Sequence, residues 1–185
     1  MCGIVAYFSK GDPPKSSILE SATLKIAHRG PDESNTWYSG DRKVGLGHRR
    51  LSILDLTESG QQPMHSYCGR YHIVLNGEIY NFQAIANELS ETLKLKEDIK
   101  SDTRVLIEAF KVWGHSFIHK IKGMFAFVIY DKLENDFWVY RDRMGIKPLY
   151  YHRTADLFVC TSELKAIIPF LKDKPTPNKK AIVQF

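Results

Sequence analysis

The chain has 185 residues, of which 43% are hydrophobic and 25% are charged, as expected of one globular domain with a sizeable core. No apolar run approaches the roughly 18 residues of a membrane span and the first residues lack a signal peptide, so the sequence predicts a cytoplasmic protein with no membrane contact. The net charge of +5 is spread along the chain, which argues against a nucleic-acid partner.

The N-terminal part of the chain predicts a strand followed by a helix. Residues 3–8 are an apolar run typical of a buried strand. Ser17 and Glu20 have the spacing of a capping box, and Gly30-Pro31 supplies a stop signal. The predicted apolar face of this helix comprises Ile18, Ala22 and Ile26.

The middle of the chain alternates strands and helices. Strands are predicted at residues 44–51 and 71–75, and helical spacing of apolar residues begins at about Asn81. A third helix is predicted from Ser101 or Asp102 to a glycine cap at Gly114.

The C-terminal part predicts two pairs of adjacent strands. Residues 124–130 precede 137–140, and residues 149–152 precede 157–160. These connections are too short for parallel crossovers, so the sheets are expected to be mainly antiparallel and covered by helices, an α+β arrangement. A last helix is predicted at residues 162–168, ending at Pro169.

The end of the chain has the composition of a linker. Residues 172–178 are rich in lysine and proline, and residues 179–185 begin a new amphipathic stretch. We therefore expect one domain over residues 1–171, with residues 172–185 forming a linker and the start of a further domain.

The cysteines Cys2, Cys68 and Cys160 are widely spaced and form no C-x-x-C pair, so we interpret them as reduced thiols. Removal of Met1 would leave a thiol and a free α-amine on Cys2. An α-amine, with an ordinary pKa of about 8, can take or relay a proton while the thiolate attacks. Cys2 is therefore the candidate nucleophile.

Three further positions have both a structural and a functional interpretation. Asn76-Gly77 is a strong hairpin signal, yet an amide beside a glycine N–H also suits an oxyanion hole. Arg50 could be a surface cation and Asp102 a helix N-cap. Taken together, a guanidinium for a carboxylate and a carboxylate for an ammonium would select a free α-amino acid.

Several motifs occur in order along essentially the whole chain. They are Met1-Cys2-Gly3-Ile4, His28-Arg29-Gly30-Pro31-Asp32, residues 48–55, Asn76-Gly77-Glu78-Ile79-Tyr80-Asn81, Gly123-Met124-Phe125-Ala126-Phe127, residues 141–150 and Ser162-Glu163-x-Lys165. With these motifs the sequence resembles the glutaminase domain of class II glutamine amidotransferases, specifically the asparagine synthetase type.

The resemblance implies a fold and a set of site residues. The fold is the four-layer αββα sandwich of N-terminal-nucleophile hydrolases. Cys2 would be the nucleophile, Asn76 and Gly77 the oxyanion hole, and Arg50 and Asp102 the groups that hold the α-carboxylate and α-ammonium of glutamine. The remaining implied glutamine-binding residues are Leu51, Ser52, Ile53, Leu54 and Glu78. Arg29 falls in a loop near the site, with its role left open.

The resemblance also implies hydrolysis of L-glutamine to glutamate and ammonia through a γ-glutamyl thioester, with no metal or cofactor in this domain. ATP and magnesium are expected only in a C-terminal ATP-dependent synthetase domain, whose Ser-Gly-Gly-x-Asp-Ser loop is absent from these residues. We expect residues 141–150 and 162–165 to pack against that domain. The sequence leaves open a homodimer and whether the acceptor is aspartate or another carboxylate.

Two alternatives remain at this point. If Met1 is retained, the domain could be a glutamine-binding regulatory module without turnover. His115-x-x-x-His119 and Cys68-x-x-x-His72 could indicate a zinc protein or a papain-type enzyme. No acidic or thiol partner stands beside the histidine pair at metal-site spacing, so surface or partly buried histidines are the favoured interpretation.

Overall fold

The computed structural model describes residues 2–51, 60–93, 101–173, 175, 176, 178, 180 and 182. The strands are β1 (Gly3–Ser9), β2 (Glu33–Tyr38), β3 (Val44–Arg50), β4 (Met64–His65), β5 (Tyr71–Ile79), β6 (Gly123–Asp131), β7 (Asp136–Arg141), β8 (Tyr150–Arg153) and β9 (Leu157–Thr161). The α-helices are α1 (Ser16–Lys25), α2 (Phe82–Leu93) and α3 (Asp102–Trp113). Short 3₁₀ helices cover Ala27–Arg29, Gly114–His119, Leu164–Ala166 and Ile168–Phe170. In the described parts of the chain, every helix is too short or too polar to cross a membrane.

The described strands form two antiparallel sheets. The first has the order β2-β3-β1-β9-β8 and the second the order β4-β5-β6-β7. Each neighbouring pair in both sheets is antiparallel. The predicted pairings of residues 124–130 with 137–140 and of 149–152 with 157–160 are confirmed as β6 with β7 and β8 with β9.

The two sheets face each other and carry helices on their outer faces. One apolar cluster lies between the sheets, a second lies under α1, and a third joins α2 and α3 to the second sheet. In β1, Ile4 and Ala6 belong to the central cluster whereas Val5 and Tyr7 belong to the cluster under α1. Side chains alternate along a strand, so one strand contributes to both cores. The predicted α+β sandwich of four layers is confirmed.

The sequence prediction is wrong for the start of the first helical segment and correct for its end. α1 begins at Ser16 with Lys15 at the N-cap and no side-chain cap, so the predicted capping box is wrong. Ser17 already lies inside the first turn, where its hydroxyl does not cap the helix. The helical region continues as the 3₁₀ turn Ala27–Arg29 and stops at Gly30, as predicted.

The helix predicted at residues 162–168 is wrong. The segment contains the two short 3₁₀ helices Leu164–Ala166 and Ile168–Phe170 instead. Pro169 lies within the second of them rather than after the end. Proline has no N–H to donate to the carbonyl four residues earlier, so an α-helical ladder cannot continue through it.

Asn76-Gly77 lies inside β5, so the hairpin interpretation is wrong. Gly77 pairs with Phe125 of β6, and a Cβ atom on Gly77 would lie 2.4 Å from the Met124 carbonyl oxygen and 2.7 Å from Phe125 Cα. The glycine is therefore required by the close approach of two strands rather than by a turn.

Candidate functional site

Cys2 immediately precedes β1 at one end of the first sheet. The residue is half-buried, and Sγ lies 4.0 Å from the carbonyl oxygen of Leu51, just after β3. Arg29 Nε donates a hydrogen bond of 3.0 Å to the Cys2 carbonyl oxygen. The backbone of the candidate nucleophile is therefore held by a charged side chain from the 3₁₀ turn that follows α1.

Arg29 is in turn held by an ionic network. Its Nη1 lies 3.2 Å from Glu163 Oε1, which also contacts His28 Nε2 at 2.8 Å, while Lys165 Nζ lies 3.2 Å from the other oxygen. Burial opposes ionisation of Glu163, but hydrogen bonds from His28, Lys165 and Arg29 hold its pKa below the ordinary value. Glu163 therefore anchors, as a carboxylate, the arginine that contacts Cys2.

Arg50 is the last residue of β3 and lies beside Cys2 in register. Gly3 pairs with Arg49, so the next positions outward on the two antiparallel strands are Cys2 and Arg50. Arg50 is only 5% exposed, and its Nη1 pairs with Glu33 Oε1 of β2 at 2.8 Å. The interpretation as a surface cation is therefore wrong, because the side chain is buried and ion-paired.

Asn76 is 1% exposed and shares its face of β5 with Val74, which belongs to the cluster between the sheets. Two contacts join this part of β5 to the first sheet. Ser162 Oγ accepts a hydrogen bond of 2.9 Å from Ile4 N–H and lies 3.5 Å from Asn76 Nδ2. His48 Nε2–H donates to the Leu75 carbonyl oxygen at 3.2 Å. The strands that carry Cys2, Arg50 and Asn76 are thus linked directly beneath the site.

His48 keeps one protonation state in this position. The pKa of His48 is lowered to about 4, mainly by burial and in part by the charge of Arg50, while the hydrogen bond to Leu75 opposes the shift. The imidazole is therefore neutral near pH 7 and acts as a hydrogen-bond donor between the sheets rather than as a second buried cation.

Asp102 lies at the start of α3, next to the end of β5. The N-cap is Ser101, whose hydroxyl accepts from Arg104 N–H, so the N-cap interpretation of Asp102 is wrong. Asp102 Oδ2 accepts from Ile79 N–H at 3.3 Å and Oδ1 from Thr103 N–H at 2.7 Å. Burial raises the pKa of Asp102, and the exposed Glu78 adds to the shift, although these N–H donors oppose it.

The structure thus brings the predicted residues together in two sets. Cys2, Arg50 and Leu51 lie at one end of the first sheet. The second set follows the chain along β5 to α3 and comprises Asn76, Gly77, Glu78 and Asp102. Met1 and the predicted pocket residues Ser52, Ile53 and Leu54 lie outside the described residues.

Two residues at the site have no catalytic or glutamine-binding role predicted from the sequence, namely Arg29 and Ser162. Both occur in motifs that carry the family resemblance, so the motifs themselves are the available signal. Their contacts could not be foreseen, because Arg29 meets Glu163 and Ser162 meets Ile4 across separations of more than a hundred residues.

Two of the histidines that suggested a zinc protein or a papain-type enzyme contact aromatic side chains. His115 Nδ1 bonds Tyr140 Oη at 2.7 Å, and the His72 ring stacks on Trp37 with ring centroids 3.9 Å apart. Across the described ranges, no group of three or more His, Cys, Asp or Glu side chains is placed to hold a metal ion. The three cysteines are free thiols.

Comparisons with known proteins identify relatives over nearly the whole chain. The amidase chry2 of Gibberella zeae is 38% identical over 181 residues, which cover 92% of this chain and 27% of that protein. Asparagine synthetase [glutamine-hydrolyzing] 3 of Bacillus subtilis is 37% identical over 172 residues, which cover 91% of this chain and 27% of that protein. The chain therefore spans about a quarter of the length of either relative.

A solved structure shares the fold at low sequence identity. It is the glutamine phosphoribosylpyrophosphate amidotransferase from B. subtilis, which matches with a TM-score of 0.73 and 21% identity over 90% of this chain and 43% of that chain. A family model described as a glutamine amidotransferase domain matches residues 1–185. The chain therefore belongs to the class II glutamine amidotransferase domain family.

Proposed function

We propose that this chain hydrolyses the side-chain amide of L-glutamine, with Cys2 as the nucleophile, and supplies ammonia to a synthetase domain elsewhere in the protein. The observation that carries the proposal is the position of Cys2. It lies beside Arg50 in register, and β1 is joined through Ser162 to the Asn76 amide. A thiol next to an arginine in register, on a strand joined through one serine to an amide side chain, supports this assignment.

The chemistry requires that Met1 has been removed. The free α-amine of Cys2 then takes the thiol proton, and Sγ attacks the amide carbon of glutamine. The carbonyl oxygen becomes an oxyanion, for which Asn76 Nδ2 and the Gly77 N–H are the proposed donors. When the carbon–nitrogen bond breaks, the ammonium of Cys2 returns the proton to the leaving ammonia. Water then adds to the thioester and releases glutamate with the restored thiol.

Recognition of the substrate is assigned to two side chains of opposite charge. Arg50 would bind the α-carboxylate and Asp102 the α-ammonium. Glu33 pairs with the guanidinium of Arg50, and a guanidinium has the charge and the planar fork that suit a carboxylate. Asp102 is fixed by backbone donors from Ile79 and Thr103, so both groups are preorganised before the substrate arrives.

The direct test is to incubate the purified chain with L-glutamine and to measure glutamate and ammonia in equal amounts. Intact mass establishes in the same sample whether Met1 has been lost. An electrophilic glutamine analogue should label Cys2, as read by peptide mass mapping. Glutamine binding without ammonia release by a chain that has lost Met1 would contradict the proposal. The same result with Met1 retained would favour the alternative of a regulatory module.

The predicted contact with a further domain is supported by exposed apolar side chains in both of the predicted segments. Met144 and Ile146 are exposed in the loop after β7, and Leu164 is exposed in the following motif. The loop is firmly held, because the carboxylate of Asp142 accepts from the Ile146 and Lys147 N–H groups. A fixed loop that presents apolar side chains to water is typical of an interface.

We expect Met144, Ile146 and Leu164 to become buried in a structure of this chain together with the domain that follows it. The measurement is the exposed fraction of each side chain in that structure. Leu133, an exposed residue in the β6–β7 turn, serves as the internal comparison and should stay exposed. If all four side chains remain solvated, the predicted contact with that domain is wrong.

The other parts of the proposed whole-protein function stay predictions. They comprise the use of ATP and magnesium by the synthetase domain, a homodimer and a cytoplasmic location. The acceptor of the ammonia, aspartate or another carboxylate, would be selected by that domain.

A further inference from the structure

We propose that Ser162 is a positioning residue that holds the Asn76 amide with its oxygen toward Ser162 and its NH₂ group toward the reacting carbonyl oxygen. This inference rests on the proposed function, because it concerns the oxyanion hole of that reaction. It assigns a role to a side chain whose hydrogen bonds in the described structure join Ile4 and Asn76.

The hydrogen-bond inventory around Ser162 points to this role. Ser162 is fully buried, and its Oγ accepts from the Ile4 N–H at 2.9 Å. The group 3.5 Å from Oγ on the other side is Asn76 Nδ2, a second donor. A serine hydroxyl also has one hydrogen to donate. Both partners of Oγ are donors, so among the described residues this hydrogen has no acceptor.

Asn76 has the complementary deficit. Its Oδ1 is buried and has no hydrogen-bond partner among the residues that the structure describes. A buried carbonyl oxygen without a donor destabilises the folded state. The Ser162 hydroxyl therefore lacks an acceptor and the Asn76 oxygen lacks a donor, and each group could be the partner of the other.

A half-turn of the Asn76 amide gives the Ser162 hydroxyl an acceptor and the Asn76 oxygen a donor. The oxygen and the NH₂ group are nearly equal in size, so their exchange needs no repacking. After the exchange, the Ser162 hydroxyl donates to Asn76 Oδ1 while its lone pair still accepts from Ile4 N–H. The Asn76 NH₂ group then occupies the place of the unpaired oxygen, where a negatively charged oxygen of the substrate would be its acceptor.

The contact has a consequence for catalysis, because it joins the oxyanion donor to the strand of the nucleophile. Ile4 is two residues from Cys2, and Ser162 N–H donates back to the Ile4 carbonyl oxygen at 2.9 Å. Ser162 thus fixes both the direction of the Asn76 donor and its distance from β1. Preorganisation of this kind lowers the free energy of the transition state without changing the affinity for the substrate.

The test is a double-mutant cycle on the 185-residue chain with Ser162→Ala, Asn76→Ala and both together. Removal of one oxyanion donor costs about 10²–10³-fold in kcat, and we expect Ser162→Ala to cost about 10-fold or more with KM little changed. In the Asn76→Ala background, Ser162→Ala should cost less than about 2-fold more, because its effect passes through that amide. Independent, multiplicative losses would overturn the proposal.

Two variants separate this role from a structural one. Ser162→Thr keeps the hydroxyl, so its kcat should be close to that of the unchanged chain and well above that of Ser162→Ala. Ser9→Ala is the matched control at the far end of β1, because Ser9 is also buried and donates to the Asp12 carbonyl oxygen. Its kcat should equal that of the unchanged chain. A fall in kcat for Ser9→Ala as large as that for Ser162→Ala would also overturn the proposal.

A neutron structure of the chain keeps the test independent of turnover. Deuterons on Asn76 should be absent from the end that faces Ser162 and present at the opposite end. Deuterons on the end that faces Ser162 would overturn the proposal even in an active chain. A chain that releases no ammonia refutes the proposed function instead, and the neutron result still decides the orientation of the amide.

Discussion

Replacing Cys2 with alanine is expected to lower glutamine hydrolysis by roughly 10⁴-fold or more, because no other described thiol can form the thioester at this site. Cys68 is exposed in a turn and Cys160 is enclosed in the core between the sheets. Binding should survive, since Arg50 and Asp102 are unaltered. The measurements are ammonia release and calorimetric titration with L-glutamine.

The control is Cys68→Ala, which removes an exposed thiol and should leave kcat and KM unchanged. Folding of both variants is checked by thermal unfolding, where we expect little change because Cys2 is only half-buried. Turnover that persists in Cys2→Ala would show that Cys2 is not the nucleophile. Loss of glutamine binding in Cys2→Ala would instead mean that the thiol contributes to recognition.

Much of the sandwich is predictable from the sequence because its pairings are local. β6 and β7, and likewise β8 and β9, are neighbours in sequence with short polar turns between them. Short connections allow only antiparallel pairing. The strand β2 is not predicted, for the opposite reason: its residues, Glu33–Tyr38, are mostly polar and half exposed, so the pattern of a buried strand is absent.

Asn76-Gly77 shows where a local rule fails. The dipeptide is a strong turn signal because glycine tolerates a positive φ, but here the backbone stays extended within β5. What selects glycine is the carbonyl of Met124 on the adjacent strand. That constraint comes from a strand 47 residues later in the chain, and no window around residue 77 contains it.

At the candidate site as well, the residue types can be read from the sequence but their contact partners cannot. The chemical types at Cys2, Arg50 and Asp102 are enough to indicate a nucleophile and a receptor for an amino acid. Their partners, Glu33 for Arg50 and Ile79 for Asp102, depend on tertiary contacts. Sequence therefore predicts the roles of the site residues, whereas the fold determines what holds each one in place.

Asp102→Asn is expected to weaken glutamine binding by about 10- to 100-fold, because a hydrogen bond to a charged group is worth about 1.5–3 kcal/mol. The substitution removes the charge and one of the two acceptor oxygens. Asparagine keeps one oxygen that can accept from Ile79 or Thr103, and the start of α3 is capped by Ser101. Titration of glutamine into the Cys2→Ala chain, with and without Asp102→Asn, measures binding separately from chemistry.

The matched control is Asp136→Asn, which removes one carboxylate from the exposed start of β7. Its dissociation constant for glutamine should equal that of the Cys2→Ala chain alone. Equal affinities in the Asp102 and Asp136 variants would show that Asp102 does not bind the ammonium group.

The pH dependence of binding provides a second measurement with a defined sign. Burial raises the pKa of Asp102 above its ordinary 3.8, so the carboxylate is lost at a higher pH than for a solvated aspartate. As the pH falls through that raised pKa, the dissociation constant of glutamine should increase about tenfold per pH unit. The increase should be absent from Asp102→Asn, whose weak binding does not depend on this proton.

Folding stability should change with pH in the opposite direction at this residue. The folded chain holds the Asp102 proton more tightly than the unfolded chain does, so protonation favours the folded state. The contribution of Asp102 to stability therefore falls as the pH rises from 3.8 through the raised pKa. The same charge that binds the ammonium group of glutamine thus costs stability in the free protein. Asp102→Asn should remove this cost, so that weaker binding and a flatter stability profile over that pH interval occur together in one variant.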